Sequence, residues 1–313
     1  MKELNYILKR LLQMIPVLFI VTIIIFWSIR LIPGNPALTV LGEKAPQSAI
    51  EAMEKKMGLD QPVWKQYILY MRDVIHLDLG TSIRLKQPVI ELFRERSVVT
   101  LTYTVMCTLF TLLIGIPAGY IAGVTKKGYV SKGITSVALV ILSLPEFWFA
   151  ILLLFWFGLK LGWVPVGGWG KTWGEHLYSM ILPAFTGAIG SVGLLIRNIQ
   201  SGVHKILARD YVDFAYSKGL DKSVIRSRYV LKNVMVSSIT LISMRITSML
   251  GGSVVIETVF ALPGLGSLLV NAINGRDYIL VQGTVLLFAL IVLVITLLTD
   301  IAYSLVDPRV KLQ

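Results

Sequence analysis

Long apolar runs separated by short charged stretches set the pattern of this chain. Runs of about 20 apolar residues, the length that crosses a bilayer as a helix, fall at about 11–31, 98–124, 134–158, 179–200, 236–259 and 280–304. The pattern predicts an all-α membrane protein with six transmembrane helices. Between the first and second runs the texture changes. Ile32–Pro36 (IPGNP) and Gly58–Pro62 (GLDQP) read as turns, and Ala45–Met57 as an amphipathic helix. Val63–Ile75 reads as a second helix with Trp64, Tyr67, Ile68 and Met71 on one side. The chain thus divides into residues 1–31 (N-terminus and first helix), an insert at 32–97, and a membrane core at 98–313 with a charged loop at about 201–235.

Charge orients the helices. Lys2, Lys9 and Arg10 precede the first run, Lys126, Lys127 and Lys132 flank the turn after the second, and Arg309 and Lys311 lie in the tail. The 201–235 loop is the most basic of all, whereas the loops at 159–178 and 260–279 hold only Lys160, Lys171 and Arg276. Basic short loops stay in the cytoplasm, so both termini are expected there, and the 32–97 insert is expected outside. The first run has the charged start of a signal peptide but no small-residue cleavage site after it, and it reads as an uncleaved first helix.

Composition agrees. Of 313 residues 55% are hydrophobic and 15% charged, with mean hydropathy +0.73, too little charge to cover a soluble surface. The net charge of +12 concentrates in loops and at helix ends, so topology accounts for it and nucleic-acid binding is not expected. The single cysteine, Cys107, lies in an apolar run, and His76, His176 and His204 are far apart, so neither a disulfide nor a metal site is expected. No phosphate-binding G-x-x-x-x-G-K-S/T loop, no G-x-S-x-G and no H-E-x-x-H is present, and no catalytic residue is predicted.

Inside the apolar runs a few residues stand out. Gly115, Gly119 and Gly123 recur every fourth position, and Gly187, Ala188, Gly190 and Gly193 mark the fourth run; small residues let helices approach closely in lipid. Pro145 should bend the third run. Glu146, Arg245, Glu257 and Asp300 carry charge at membrane depth, where each needs a partner or water. Pathway lining, a structural pair and an interfacial location all remain open for Glu146 and Arg245. Trp163, Trp169 and Trp173 suggest an aromatic belt, and Ala261–Gly266 (ALPGLG) a turn closing a short re-entrant feature.

The most informative stretch is Asp210–Asn233, DYVDFAYSKGLDKSVIRSRYVLKN. It is too long and too patterned for a connector. Ala215, Lys218 and Gly219 close one short helical stretch, and a second follows from Asp221. Gly219 suits a helix end where the backbone turns left-handed.

In order along the chain stand RLIPGNP (Arg30–Pro36), GLDQPVWKQY (Gly58–Tyr67), LDLGTSI (Leu77–Ile83), SLPEFW (Ser143–Trp148), MILPA (Met180–Ala184), DYVDFAYSKGL (Asp210–Leu220), GGSVVIETVFALPGLG (Gly251–Gly266), RDY (Arg276–Tyr278) and DPRVK (Asp307–Lys311). Over essentially its whole length the sequence resembles the membrane permease subunits of bacterial peptide and nickel ABC importers. The resemblance implies a type I importer permease in the bacterial inner membrane that supplies half of a translocation pathway for di- or oligopeptides by alternating access. Its implied partners are a second homologous permease, two ATP-binding subunits and an extracytoplasmic solute-binding protein. ATP and Mg would sit on the ATP-binding subunits, and this chain would bind no cofactor. The resemblance also makes Asp210, Asp213, Phe214, Ala215, Lys218, Gly219 and Leu220 the coupling element, with Ala215 small enough to seat in a partner's groove. The family's coupling motif has Glu-Ala where this chain has Asp213-Phe214. Pro145, Glu146, Arg245 and Glu257 are candidate pathway or gate residues. Nickel or a metal chelate is the alternative cargo; an ion-gradient-driven transporter is the rival class, and it would need an internal repeat and midplane ion sites that the sequence does not display.

Overall fold

The computed structural model describes residues 2–31, 36–41, 45–56, 58–125 and 128–306. The basic residues Lys126 and Lys127, the turn residues Ile32–Asn35 and the tail motif at 307–311 lie outside them. The helices are α1 (Lys2–Leu31), α2 (Pro36–Leu41), α3 (Gln47–Lys56), α4 (Val63–Ile75), α5 (Val89–Val124), α6 (Tyr129–Ser143), α7 (Glu146–Leu153), α8 (Trp173–Leu207), α9 (Asp210–Ser217), α10 (Lys222–Val224), α11 (Lys232–Val259), α12 (Leu265–Asn274) and α13 (Tyr278–Val306). The wider π form extends α7 through Leu154–Lys160 and joins α10 to α11 through Ile225–Leu231. Among the described residues the β structure is one isolated pairing, Thr81 with Pro88.

Four stretches are long and apolar enough to cross a membrane unaided: Leu8–Ser28, Val89–Val124, Trp173–Leu207 and Tyr278–Thr299. The other two are bent pairs, so the total is 6 if each pair is one span. The bend expected at Pro145 is sharp: α6 and Glu146–Lys160 meet at 102°. The cause is local. Pro145 has no N–H to donate and takes φ −62° and ψ 129°, and Leu144 before it is pushed into extended backbone. Two short helices, α2 and α12, are additions to the sequence reading.

The chain forms two compact units, Met1–Val98 with Gly264–Val294, and Val99–Pro263 with Ile295–Gln313. In the first, α4 packs on α1. Thr22 Oγ1 and Tyr67 Oη are 2.9 Å apart, and the Phe26 ring lies 5.1 Å from Tyr67 and 5.9 Å from Tyr70. The turn at Thr81–Pro88 is held by a residue 195 positions away: buried Asp277 accepts from Ser82 Oγ (2.6 Å) and Arg84 N (3.1 Å). The same carboxylate accepts from Leu280 N (3.2 Å) and so caps α13. Val89, Leu92, Leu268, Ala272 and Leu280 form the apolar core beside it.

In the second unit α8 is the central helix, packed by α6, α7 and α11. The glycine stripe of α5 receives a ridge from α8. A Cβ at Gly115 would stand 2.8 Å from Leu195 Cδ2, at Gly119 3.0 Å from the Ile196 backbone, and at Gly123 2.6 Å from Val203 Cβ. The four-residue spacing is thus a groove for Leu195, Ile199 and Val203, as close packing of small residues predicts. On its other side α8 offers Gly193 to Leu142 and the Ala138 carbonyl of α6.

Candidate functional site: the loop Asp210–Leu231 and the buried polar groups

The charged loop folds as two braced helical pieces. In α9, Asp210 and Asp213 sit in the first turn, where the helix dipole favours negative charge. The far end closes with Gly219 N donating to Tyr216 O (3.0 Å) and Leu220 N to Ala215 O (3.3 Å). That pair of bonds, with Gly219 at φ 74°, is a Schellman closure, and the left-handed backbone expected at this position is present. A Cβ at Gly219 would meet nothing within 4 Å, so the demand for glycine is one of backbone conformation alone. Asp221 opens the next piece by accepting from Ser223 N at 2.6 Å. The hydrogen bonds from Ser223 hold the Asp221 carboxyl below the usual range.

One face of α9 points inward. Val212 and Ala215 are buried against Ile225, with Ile206, Leu207 and Tyr229 around them. This corrects the role expected for Ala215: it is small because Ile225 of the same loop packs on it, and it is not available to seat in a partner's groove. Asp210, Asp213, Phe214, Lys218, Gly219 and Leu220 are exposed. Phe214 is 61% exposed, and Lys218 Nζ lies 4.6 Å from its ring. Tyr211 and Tyr216, which the sequence does not single out, are 42% and 40% exposed, and the Tyr211 ring lies 6.5 Å from that of Tyr229. At 100° per residue Tyr211 and Tyr216 flank the buried Val212–Ala215 face on either side, while Phe214 points away from it.

The intramembrane residues do not form one cluster of like surroundings. Glu257 is fully buried and accepts from Thr100 Oγ1 at 2.7 Å. Glu146 is exposed at the first position of α7, beside exposed Pro145, and Arg245 is half-buried on α11. Arg245 lies within Coulombic reach of Glu146, but no ion pair joins them. Instead Arg245 borders a cavity of about 10 Å³, room for about one water, lined also by Thr108, Thr111 and Ser191. Thr108 and Thr111 donate to the Thr104 and Cys107 carbonyls (2.7 and 2.8 Å), which leaves their oxygens free to accept from the arginine side. Buried Tyr103 feels both Glu146 and Glu257, and its hydroxyl fills the notch at Gly187, where a Cβ would stand 2.0 Å from the oxygen.

The outer tryptophans separate. Trp163 and Trp173 are 61% and 65% exposed, as belt residues would be. Trp169 instead packs against the core, stacks on His176 at 4.2 Å, and offers its carbonyl to His176 Nδ1 at 2.7 Å. Gly167 lies against the Phe260 carbonyl, which accepts from Gly168 N, so the 164–170 loop seats on the start of the ALPGLG turn.

Known proteins resemble this sequence along nearly its whole length. Residues 115–312 match the family described as binding-protein-dependent transport system inner membrane component, and residues 3–104 match the N-terminal part of such membrane components. The dipeptide transport system permease protein of Alkalihalophilus pseudofirmus is 35% identical over 334 aligned positions, covering 98% of this chain and 99% of the relative. The glutathione transport system permease protein of Escherichia coli O6:H1 is 33% identical over 308, with the same coverage. A solved structure of the methionine ABC transporter MetNI shares the fold at TM-score 0.57 and 15% identity, covering 70% of this chain and 97% of that one. The chain belongs to the binding-protein-dependent transport system inner membrane component family: it is a multi-pass membrane permease subunit of an ABC importer.

Proposed function

We propose that this permease imports di- or oligopeptides and couples to its ATPase through the outward face of α9. The cargo reading rests on relatives named for dipeptide and glutathione, itself a small peptide, that align along 98% of the chain. The coupling reading rests on one observation: a short helix, braced from inside by Val212, Ala215 and Ile225, offers Phe214, Tyr211 and Tyr216 to solvent. Such a helix is a lever with Phe214 at its outward side, and aromatic side chains concentrate binding energy at protein contacts.

In this reading two ATP-binding subunits carry ATP and Mg, and a second homologous permease completes the pathway. A solute-binding protein delivers cargo at the insert side, and both termini lie in the cytoplasm with the Asp210–Leu231 loop. ATP binding draws the levers together and turns the pathway outward; hydrolysis resets it. Glu146, Pro145 and the Arg245 cavity border the pathway, while Glu257 with Thr100 holds the bundle. The test is ATP-dependent uptake by the importer reconstituted with its binding protein. Labelled di- and tripeptides should be taken up, and nickel should not. Uptake of nickel without peptide would overturn the cargo reading.

A further inference from the structure

Among the described residues the insert helix α4 packs one face on α1 and leaves another exposed. Gln66, Tyr67 and Tyr70 meet α1: Arg30 donates to Gln66 and lies with its guanidinium 3.4 Å over the Phe26 ring, and Tyr67 reaches Thr22 and Phe19. At 100° per residue the next face holds Trp64, Ile68, Met71 and Ile75. Trp64, Ile68 and Ile75 are 65%, 57% and 73% exposed. Beyond that stripe lie exposed Lys65 and Arg72, the latter paired at the surface with Asp73 at 3.1 Å.

Depth and direction follow from the contacts. The apolar span of α1 ends at Ser28, so Thr22 is about 9 Å inside it at 1.5 Å per residue. The Tyr67 ring therefore reaches below the headgroups, while Gln66 meets Arg30 just beyond the span. The contacts on α1 run from Phe19 to Arg30, about 16 Å, but those on α4 run only from Gln66 to Tyr70, about 6 Å. The single ring of Tyr67 touches Phe19, Thr22 and Phe26 of α1, a pattern that fits a helix crossing α1 better than one lying alongside it. A crossing at the outer half of the α1 span is the arrangement of a helix lying along the membrane plane.

We infer that α4 is an interfacial membrane helix, with Trp64, Ile68, Met71 and Ile75 set into lipid and Lys65 and Arg72 at the headgroup phosphates. On α1 the residues about 120° round from the α4 contact, Ile20, Ile24 and Trp27, are likewise exposed at 54%, 58% and 51%. A stripe of apolar and tryptophan side chains beside a basic flank is the signature of a helix lying in the interface. The inference rests on α1 crossing the membrane and not on the cargo or coupling readings.

The test uses the assembled importer in lipid nanodiscs with buried Cys107 replaced (Cys107→Ser) and a nitroxide attached in turn at Ile20→Cys, Lys65→Cys, Ile68→Cys and Ile75→Cys. Collision with molecular oxygen, which enters acyl chains, is compared with collision with a water-soluble nickel chelate. Oxygen should dominate at 68 and 75 as it does at 20, and the chelate should dominate at 65. Chelate dominance at 68 and 75 would overturn the inference. So would shielding of both from either reagent, since a protein would then cover the stripe. Chelate dominance at 20 would overturn the span itself, and the inference with it.

Discussion

The α5–α8 contact and the Asp210–Leu231 loop are both built around glycine, yet glycine does opposite work in them. At Gly115, Gly119 and Gly123 it is needed for what lies outside it: Leu195, Ile196 and Val203 stand where a side chain would go. At Gly219 nothing lies within 4 Å, and glycine is needed for its own backbone, at φ 74°. The first contact lies in lipid, where no hydrophobic drive holds helices together and close packing does the work. The second lies in water, where burial of Val212, Ala215 and Ile225 and satisfied helix ends suffice. Substitutions in the first should therefore cost the folded protein. Substitutions in the second should cost the transmission of force.

The sharpest break of that contrast is Gly119→Leu. Its Cβ meets Ile196 main chain, which cannot swing aside, so the cost should reach about 3 kcal/mol, the upper end for overpacking. Detergent-solubilised protein should lose its folded fraction in thermal denaturation. Gly187→Ala is milder, because the obstacle is the far end of a side chain. About 2 kcal/mol is expected, and Tyr103→Phe, which removes the oxygen 2.0 Å away, should recover part of it in a double-mutant cycle. Full additivity would show that the notch is not the cause.

In the loop, Gly219→Val should cost about 1–3 kcal/mol of local strain, since a β-branched residue is an outlier at this φ. The measurable signs are normal membrane insertion, faster proteolysis between 209 and 231, and weaker hold on the ATPase. Asp221→Ala should cost about 1 kcal/mol, as loss of an N-cap does, with hydrogen exchange rising at Ser223. The cap should respond to acid in a definite sense. Its carboxyl titrates below the ordinary aspartate value in the folded loop, so its contribution is complete above that value and is lost as pH falls through the lowered one.

What was legible follows from range. The Gly115–Gly123 stripe and the Gly219 closure are set by spacing and backbone within a few residues, and both were readable. Pro145 announced a bend, but the 102° break also needed Leu144 to go extended, which turns a kinked span into two helices. Ala215 was misplaced because smallness alone does not say who packs on it; the answer, Ile225, lies across the Gly219 turn. The Ser82–Asp277 bond spans 195 residues and left no local trace, although LDLGTSI and RDY were each noticed separately. On α4 the spacing groups Trp64, Tyr67, Ile68 and Met71 on one side, but Tyr67 packs on Thr22 and Phe26 of α1, apart from the exposed Trp64 and Ile68.

The central claim is that the outward face of α9 couples this permease to its ATPase, and Phe214→Ala tests it most directly. The side chain is 61% exposed, so stability should change by less than about 0.5 kcal/mol. Attachment of the ATP-binding subunits and ATP-driven peptide uptake should be measured together on the same reconstituted preparation. The account predicts a permease that inserts and folds normally but loses its ATPase or lets it hydrolyse ATP without uptake. Normal attachment with full uptake in Phe214→Ala, and again in Gly219→Val, would contradict it.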